Sequence, residues 1–151
     1  MEGPKLKTLA LDLSTTDTGF AIYENSNLIL WGSLSYKDKD VYDRIFRMVN
    51  KIHEMIIEEE IDEVVFEDSF SGTNKQVVVK LNRLAGGVIF VSKTLSTPFI
   101  TYAPRYIKKE FTGNGNASKQ EVIDKVKEIF NLDIKNDNIC DAIALGYIHV
   151  K

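Results

Sequence analysis

A chain of 151 residues has the length of a single domain, and its 44% hydrophobic and 27% charged residues exclude a disordered or low-complexity protein. No apolar run approaches the roughly 18 residues of a membrane span, and MEGPKLK lacks the apolar stretch of a signal peptide, so the expected location is the cytoplasm. One cysteine, Cys140, and two histidines, His53 and His149, leave no internal disulfide and no zinc-type cluster, so any metal must be held by oxygen.

The predicted elements begin with three strands, 7–13 (KTLALDL), 19–24 (GFAIYE) and 27–35 (NLILWGSLS), the last two joined by the hairpin-like turn Glu24-Asn25-Ser26-Asn27. From Val41 to Glu60, apolar Val41, Ile45, Met48, Val49, Ile52, Met55 and Ile56 recur at helical spacing, which predicts an amphipathic helix covering the sheet. IDEVVFED (61–68) is short, apolar and ends in acids, as a buried parallel strand would. A second long helix is predicted over 75–95, weakened by Gly86-Gly87, followed by a strand at 98–103. Pro104 suits the first turn of a short helix to about Phe111, GNGNASKQ (113–120) is a loop entering a helix capped by Asn116 or Ser118, and a last helix runs from Asp137 to His149. The order β-β-β-α-β-α-β-α-α-α predicts an α/β fold with a five-stranded mixed sheet, antiparallel early and parallel later, in one domain over residues 1–151.

The net charge of -3 weighs against a nucleic-acid binder, but it is an average over unlike segments. Residues 1–68 hold 7 Lys/Arg against 15 Asp/Glu, whereas residues 69–135 hold 11 against 5. An acidic first half followed by a basic stretch is compatible with an acidic site facing a basic binding surface. Three acids stand where burial is expected: Asp12 inside the first strand, Glu67 at the end of the fourth, and Asp141 among Ile139, Ala142, Ile143, Leu145 and Ile148 in the last helix. A buried carboxylate costs several kcal/mol unless it is paired or holds a metal. Few cations adjoin these three in sequence, so a divalent ion is the economical compensator. Magnesium takes hard oxygen ligands and keeps waters that a substrate phosphate can replace, and two such ions about 4 Å apart would support phosphodiester hydrolysis. Each acid also has the plainer reading of a strand-end or cap residue. Asp68, next to Glu67, points to the opposite face of the strand.

Four segments, LALDLSTTDTGFAI, VVFEDSF, YAPRYIKKEFTGNGNASKQEV and DNICDAIALGYIHV, resemble a RuvC-type Holliday junction resolvase of the retroviral-integrase/RNase H superfamily. The resemblance spans nearly the whole chain, and the short length and Lys/Asn/Ile-rich character are similar to a bacteriophage member. It implies an RNase H-like fold, a two-metal site using Mg2+ or Mn2+, a homodimer, and paired nicks in four-way DNA leaving 5′-phosphate and 3′-hydroxyl ends. By the same resemblance Asp12, Glu67 and Asp141 are the metal ligands, Lys119 is a catalytic lysine facing the scissile phosphate, Lys108 is a second functional lysine, and Phe70 stacks on an unpaired base. Lys75, Lys80, Arg83, Arg105, Lys108, Lys109 and Lys119 would contact phosphates.

The chain departs from the family at Asn138, where members usually carry an aspartate three residues before the last ligand. Asn138 coordinates through its carbonyl oxygen, or Asp137, which shares a helix face with Asp141, substitutes for it, or Asn138 is an inactivating change. The plainer role of Asp137 is a helix N-cap. VVVKLNRLAGGVIFV carries apolar residues on more than one side of its helix, which agrees with a dimer, and Gly86-Gly87 would allow close helix approach. The alternatives are a nuclease for other branched or structured nucleic acid, a junction-binding protein with impaired catalysis, and a nucleotide-binding module suggested by D-x-S-T-T-x-T-G.

Overall fold

Strands β1 (Lys7–Asp12), β2 (Asp17–Glu24), β3 (Asn27–Ser35), β4 (Glu63–Glu67) and β5 (Phe99–Tyr102) form one sheet in the order β3-β2-β1-β4-β5. The computed structural model describes residues 3–68 and 74–151. β1, β2 and β3 are antiparallel neighbours, while β4 runs parallel to both β1 and β5. Three antiparallel strands followed by parallel ones is the arrangement expected from the element order. Asn25 makes the β2–β3 turn in a left-handed conformation (φ 55°) that asparagine tolerates, and its side chain accepts a hydrogen bond from the Leu6 amide.

Period-two alternation divides the core into two layers. Leu9, Leu11, Ile22, Val64 and Phe66 face α1 (Val41–Glu58) and α2 (Lys75–Thr94), meeting Met48, Ile52, Leu84 and Val88. Ala10, Ala21, Tyr23 and Val65 face the other way, toward α3 (Pro104–Thr112), α4 (Lys119–Phe130) and α5 (Asp137–Val150). The glycine pair does not interrupt α2. A Cβ on Gly87 would lie 2.7 Å from Val49 Cγ2, so this glycine serves the close crossing of α2 over α1 within the chain. Gly86 has open space above it.

α5 is apolar on nearly every side because it is enclosed by the sheet, α3 and α4; Cys140, Ala142 to Gly146 and Ile148 are all buried. Small residues bring it close to the sheet. A Cβ on Gly146 would stand 2.3 Å from the Tyr23 ring and 3.2 Å from Ala10 Cβ, and Tyr23 Oη donates to the Ile143 carbonyl at 2.7 Å. Near its C-terminus, His149 is hydrogen-bonded at 2.7 Å to both Glu63 and Tyr102, tying α5 to β4 and β5. Ser118, one of the two candidate caps, is the N-cap of α4, accepting from the Glu121 amide at 3.1 Å.

Candidate active site

Asp12 and Glu67 close adjacent parallel strands. The β1–β4 register pairs Leu11 with Phe66, so the next step sets Asp12 beside Glu67. Alternation places them on the same face as Ala10 and Val65, one pleat beyond the core under α5. Asp68 turns elsewhere: its carboxylate accepts from Thr101 Oγ1 at 2.9 Å, and its amide donates to the Tyr102 carbonyl at 2.9 Å. The C-terminal ends of parallel strands are where open α/β sheets bind ligands.

Asp141 arrives from α5, whose start is fixed by contacts with β2. Asn136 caps the helix, its Oδ1 accepting from the amides of Asn138 (2.9 Å) and Ile139 (3.1 Å). The same side chain donates through Nδ2 to Asp17 Oδ2 at 2.9 Å. Asn138 Nδ2 donates to the Asp17 carbonyl at 2.9 Å and to Asp17 Oδ2 at 3.3 Å. Gly19, the register partner of Asp12, makes this docking possible, since a Cβ there would fall 2.1 Å from the Asn138 carbonyl oxygen. Asp137 is the first residue of α5 and not its cap. Its carboxylate forms an ion pair with Lys119 Nζ at 3.3 Å.

The result is a pocket of about 200 Å³ lined by Asp12, Glu67, Asp137, Asn138 and Asp141, with Lys108, Lys119 and the apolar side chains of Ile107, Phe111 and Val122 completing its wall. Burial pushes the Asp12 carboxyl well above its ordinary range, and the charges of Asp141, Glu67, Asp137 and Asp17 push it further. Glu67 is raised to about 7 by burial and by Asp141, with Lys108 opposing. Asp141 is raised to about 6 by burial and by Asp137, with Lys108 and Lys119 opposing. Asp17 behaves differently: burial raises it, but hydrogen bonds from Asn136, Ser33 and Asn138 bring it below its ordinary value. Cys140, buried behind the site, has its thiol pushed up to about 11 by burial and the acids, so it is no nucleophile at neutral pH.

Of the residues singled out in the sequence, Asp12, Glu67, Lys108, Lys119, Asn138 and Asp141 meet in this pocket. Arg105 lies on α3 in a neighbouring pocket. Lys75 and Arg83 lie on α2 and do not line the carboxylate pocket; Arg83 donates to the Tyr42 hydroxyl and covers its ring. Phe70 falls outside the described residues. Sequence reasoning missed Asp17, Asn136 and Gly19, which hold the start of α5 in place. The only signal for Gly19 was a glycine directly after a run of Ser, Thr and Asp, which reads equally well as a loop end.

Comparison with known proteins gives the same architecture. The family described as "Crossover junction endodeoxyribonuclease RuvC" matches residues 8–149. Proteins of that name from Aliarcobacter butzleri and Helicobacter hepaticus are 32% and 36% identical, covering 97% and 93% of this chain and 99% and 80% of their own. The fold of T. thermophilus RuvC, solved in complex with Holliday junction substrate, superposes with a TM-score of 0.82 at 19% identity over 95% of this chain and 92% of that one. The yeast mitochondrial Holliday junction resolvase Ydc2 gives 0.67 at 10% identity over 96% and 78%. The fold is RNase H-like, and the chain belongs to the crossover junction endodeoxyribonuclease RuvC family.

Proposed function

We propose that this chain is a metal-dependent, structure-specific endodeoxyribonuclease that resolves Holliday junctions by paired nicks, acting as a single RNase H-like nuclease domain. The observation that carries the reading is the convergence of Asp12, Glu67 and Asp141 from β1, β4 and α5 in one pocket with Lys108 and Lys119. The bacterial relatives named for this activity and the T. thermophilus complex support it.

The donor set fits a hard divalent cation. Burial and mutual repulsion raise three carboxyls at once, and a positive charge among them would favour the ionised form of all three. Among the described residues no three acidic, histidine or cysteine side chains form a ready-made cage. Magnesium does not require one, because it binds through one or two carboxylates and keeps waters or substrate phosphate in its remaining positions. Asp12, Glu67 and Asp141 would hold the ions, two per site and Mg2+ or Mn2+, with the Asn138 side-chain oxygen as an added neutral donor. Bound there, the ions would supply an activated water and stabilise the departing oxygen.

The chain's own residues do the rest. Lys119, its side chain 79% exposed, can exchange Asp137 for an incoming phosphate without crossing the protein interior. Lys108 lies near Glu67 and Asp141 and offsets part of the repulsion a phosphate meets on entering an acidic pocket. Arg105, Lys75 and Arg83 lie outside the pocket, where contacts to phosphates would orient the DNA arms without reading sequence. An apolar groove between α1 and α2 lined by Tyr42, Ile45, Phe46, Val49 and Phe90, with Phe46 66% and Phe90 71% exposed, supports a homodimer. Two-fold symmetry would present two sites to the two strands of a junction that must be cut.

The test is cleavage of labelled four-way junction, fork, flap and linear duplex by the purified protein with and without magnesium. Symmetric nicks in the junction only with metal are expected. Equal cutting of linear duplex, or binding with no cutting in magnesium, overturns the reading.

A further inference from the structure

α3 has two working faces. One carries Lys108, Ile107 and Phe111 into the carboxylate pocket. The other carries Arg105, Tyr106 and Lys109 into a second cavity of about 360 Å³, closed by the loop 113–116 with Asn114 and Asn116. The composition of this cavity is selective. It holds two cations, one aromatic ring, two carboxamides and no acid. Among the described residues neither Arg105 nor Lys109 forms an ion pair, and the Asn116 carboxamide has no protein partner.

The cavity is also built. Tyr106 stacks on Tyr102 with ring centroids 5.8 Å apart and planes 6° from parallel, which fixes the ring while leaving the residue 50% exposed. Tyr102 is held in turn by His149 at 2.7 Å. Gly113 turns the chain in a left-handed conformation (φ 87°) that only glycine adopts cheaply. The loop is then locked by Asn114, whose amide donates to Thr112 Oγ1 at 3.1 Å and whose Oδ1 accepts from the Asn116 amide at 3.0 Å. At Gly115 the loop passes beside the guanidinium, where a Cβ would lie 3.6 Å from Arg105 Nε.

We propose that this cavity seats one unpaired nucleotide of the strand being cut, adjacent to the scissile phosphate, and helps set where the enzyme cuts. Arg105 and Lys109, one helical turn apart, grip its phosphate. The base lies on the Tyr106 ring, which accepts any base by stacking. The Asn116 carboxamide offers both a donor and an acceptor to the base edge, so it supplies the discrimination that stacking cannot. A duplex nucleotide cannot occupy the cavity because its base faces are already covered, which restricts the cavity to the opened strands at a branch point. This inference rests on the nuclease reading for the word "scissile", but not for the existence of the site.

Two measurements separate the two ideas. The first is binding of a short single strand containing 2-aminopurine, in the absence of divalent metal. Wild-type protein should quench its fluorescence, Tyr106→Phe should retain the quenching, and Tyr106→Leu should weaken binding by at least about fivefold. Arg105→Gln and Lys109→Gln should weaken binding and flatten its salt dependence by about one ion each. The second is the distribution of cuts on a mobile junction that samples every flanking base. Asn116→Ala should broaden that distribution while Tyr106→Phe leaves it unchanged. Normal quenching by Tyr106→Leu overturns the site, and a wild-type cut distribution in Asn116→Ala overturns its role in site choice. Quenching by a wild-type protein that cuts no junction would uphold the cavity and remove the nuclease reading instead.

Discussion

Replacing Glu67 by glutamine should make the metal-free protein more stable, although it removes a residue of the proposed centre. A carboxyl whose folded pKa lies above its unfolded value stabilises the fold while protonated. That contribution is complete below about pH 4.5, and it is lost as pH rises through the folded value, here about 7. At pH 8 the folded protein therefore carries a charge it resists. Moving a carboxyl from 4.5 to about 7 corresponds to about 3 kcal/mol, an upper bound because water entering the open pocket screens the acids from one another. Glutamine keeps the shape and drops the charge, so a gain of about 1–3 kcal/mol is expected at pH 8. For a chain of this size that is a rise in Tm of roughly 3–10 °C. At pH 5 the folded carboxyl is protonated and only the unfolded chain has begun to ionise, so the gain should fall to about a quarter of its pH 8 value. Thermal unfolding in chelator at the two pH values, followed by circular dichroism, measures both. Added magnesium should then raise the Tm of the wild type at pH 8 more than that of the variant. A Tm for Glu67→Gln that is unchanged or lower at pH 8, or a gain of equal size at both pH values, refutes the reasoning.

Asp12→Asn, Glu67→Gln and Asp141→Asn should each reduce junction cleavage at least about 100-fold while junction binding, measured by gel shift in calcium, stays within a few fold. Wild-type-like cutting by any of them removes that residue from the centre. Gly19→Ala forces a methyl into the Asn138 carbonyl, so it should cost at least about 1–3 kcal/mol and lower cleavage more than a change of equal cost in the α1–α2 layer. Asn138→Asp replaces two hydrogen bonds to Asp17 with carboxylate repulsion. It should lower the metal-free Tm at pH 8 by an amount equivalent to about 1–3 kcal/mol and steepen the magnesium dependence of both Tm and cleavage. A second change, Asp17→Asn, should recover most of the lost Tm.

The elements were legible because each carries its own periodicity. Alternation in LALDL and the helical spacing from Val41 to Ile56 are local signals, and β1, α1 and their neighbours fall within a few residues of where those signals end. The acids were legible as anomalies: Asp12 interrupts an apolar strand, and Asp141 interrupts an apolar helix. What pairs across the chain was not legible. Nothing near Asn136 announces that it will cap α5 and grip Asp17 at the same time: the cap bond reaches an amide two residues on, but the bond to Asp17 joins residues 119 apart in the chain. Asp137 was the natural cap by composition, yet the helix starts one residue earlier, which frees Asp137 to pair with Lys119. Gly86-Gly87 illustrates the same limit. Gly87 is read correctly as a close-approach residue, but its partner Val49 belongs to the same chain.

A centre of mutually repelling acids needs a scaffold that will not yield to them, and the burial of α5 supplies it. Its first five residues hold Asp137 and Asp141 beside Asp12, whose carboxyl their charges push up. The turns beyond hold Ile143, Leu145 and Ile148 in the core, with Tyr23 bonded to the Ile143 carbonyl. Three buried aliphatic side chains contribute roughly 5–9 kcal/mol against leaving the sheet, which exceeds the about 3 kcal/mol that burial and the Asp141 charge together cost an ionised Glu67. Packing therefore wins at the far end of the helix and decides the position of the near end. The helix is apolar on nearly every side for that reason, since a single amphipathic stripe would leave it anchored on one face only. Gly19 and Gly146 belong to the same device: by letting the helix approach the sheet at both ends, they fix the acid-bearing turn to the strand ends that carry Asp12 and Glu67.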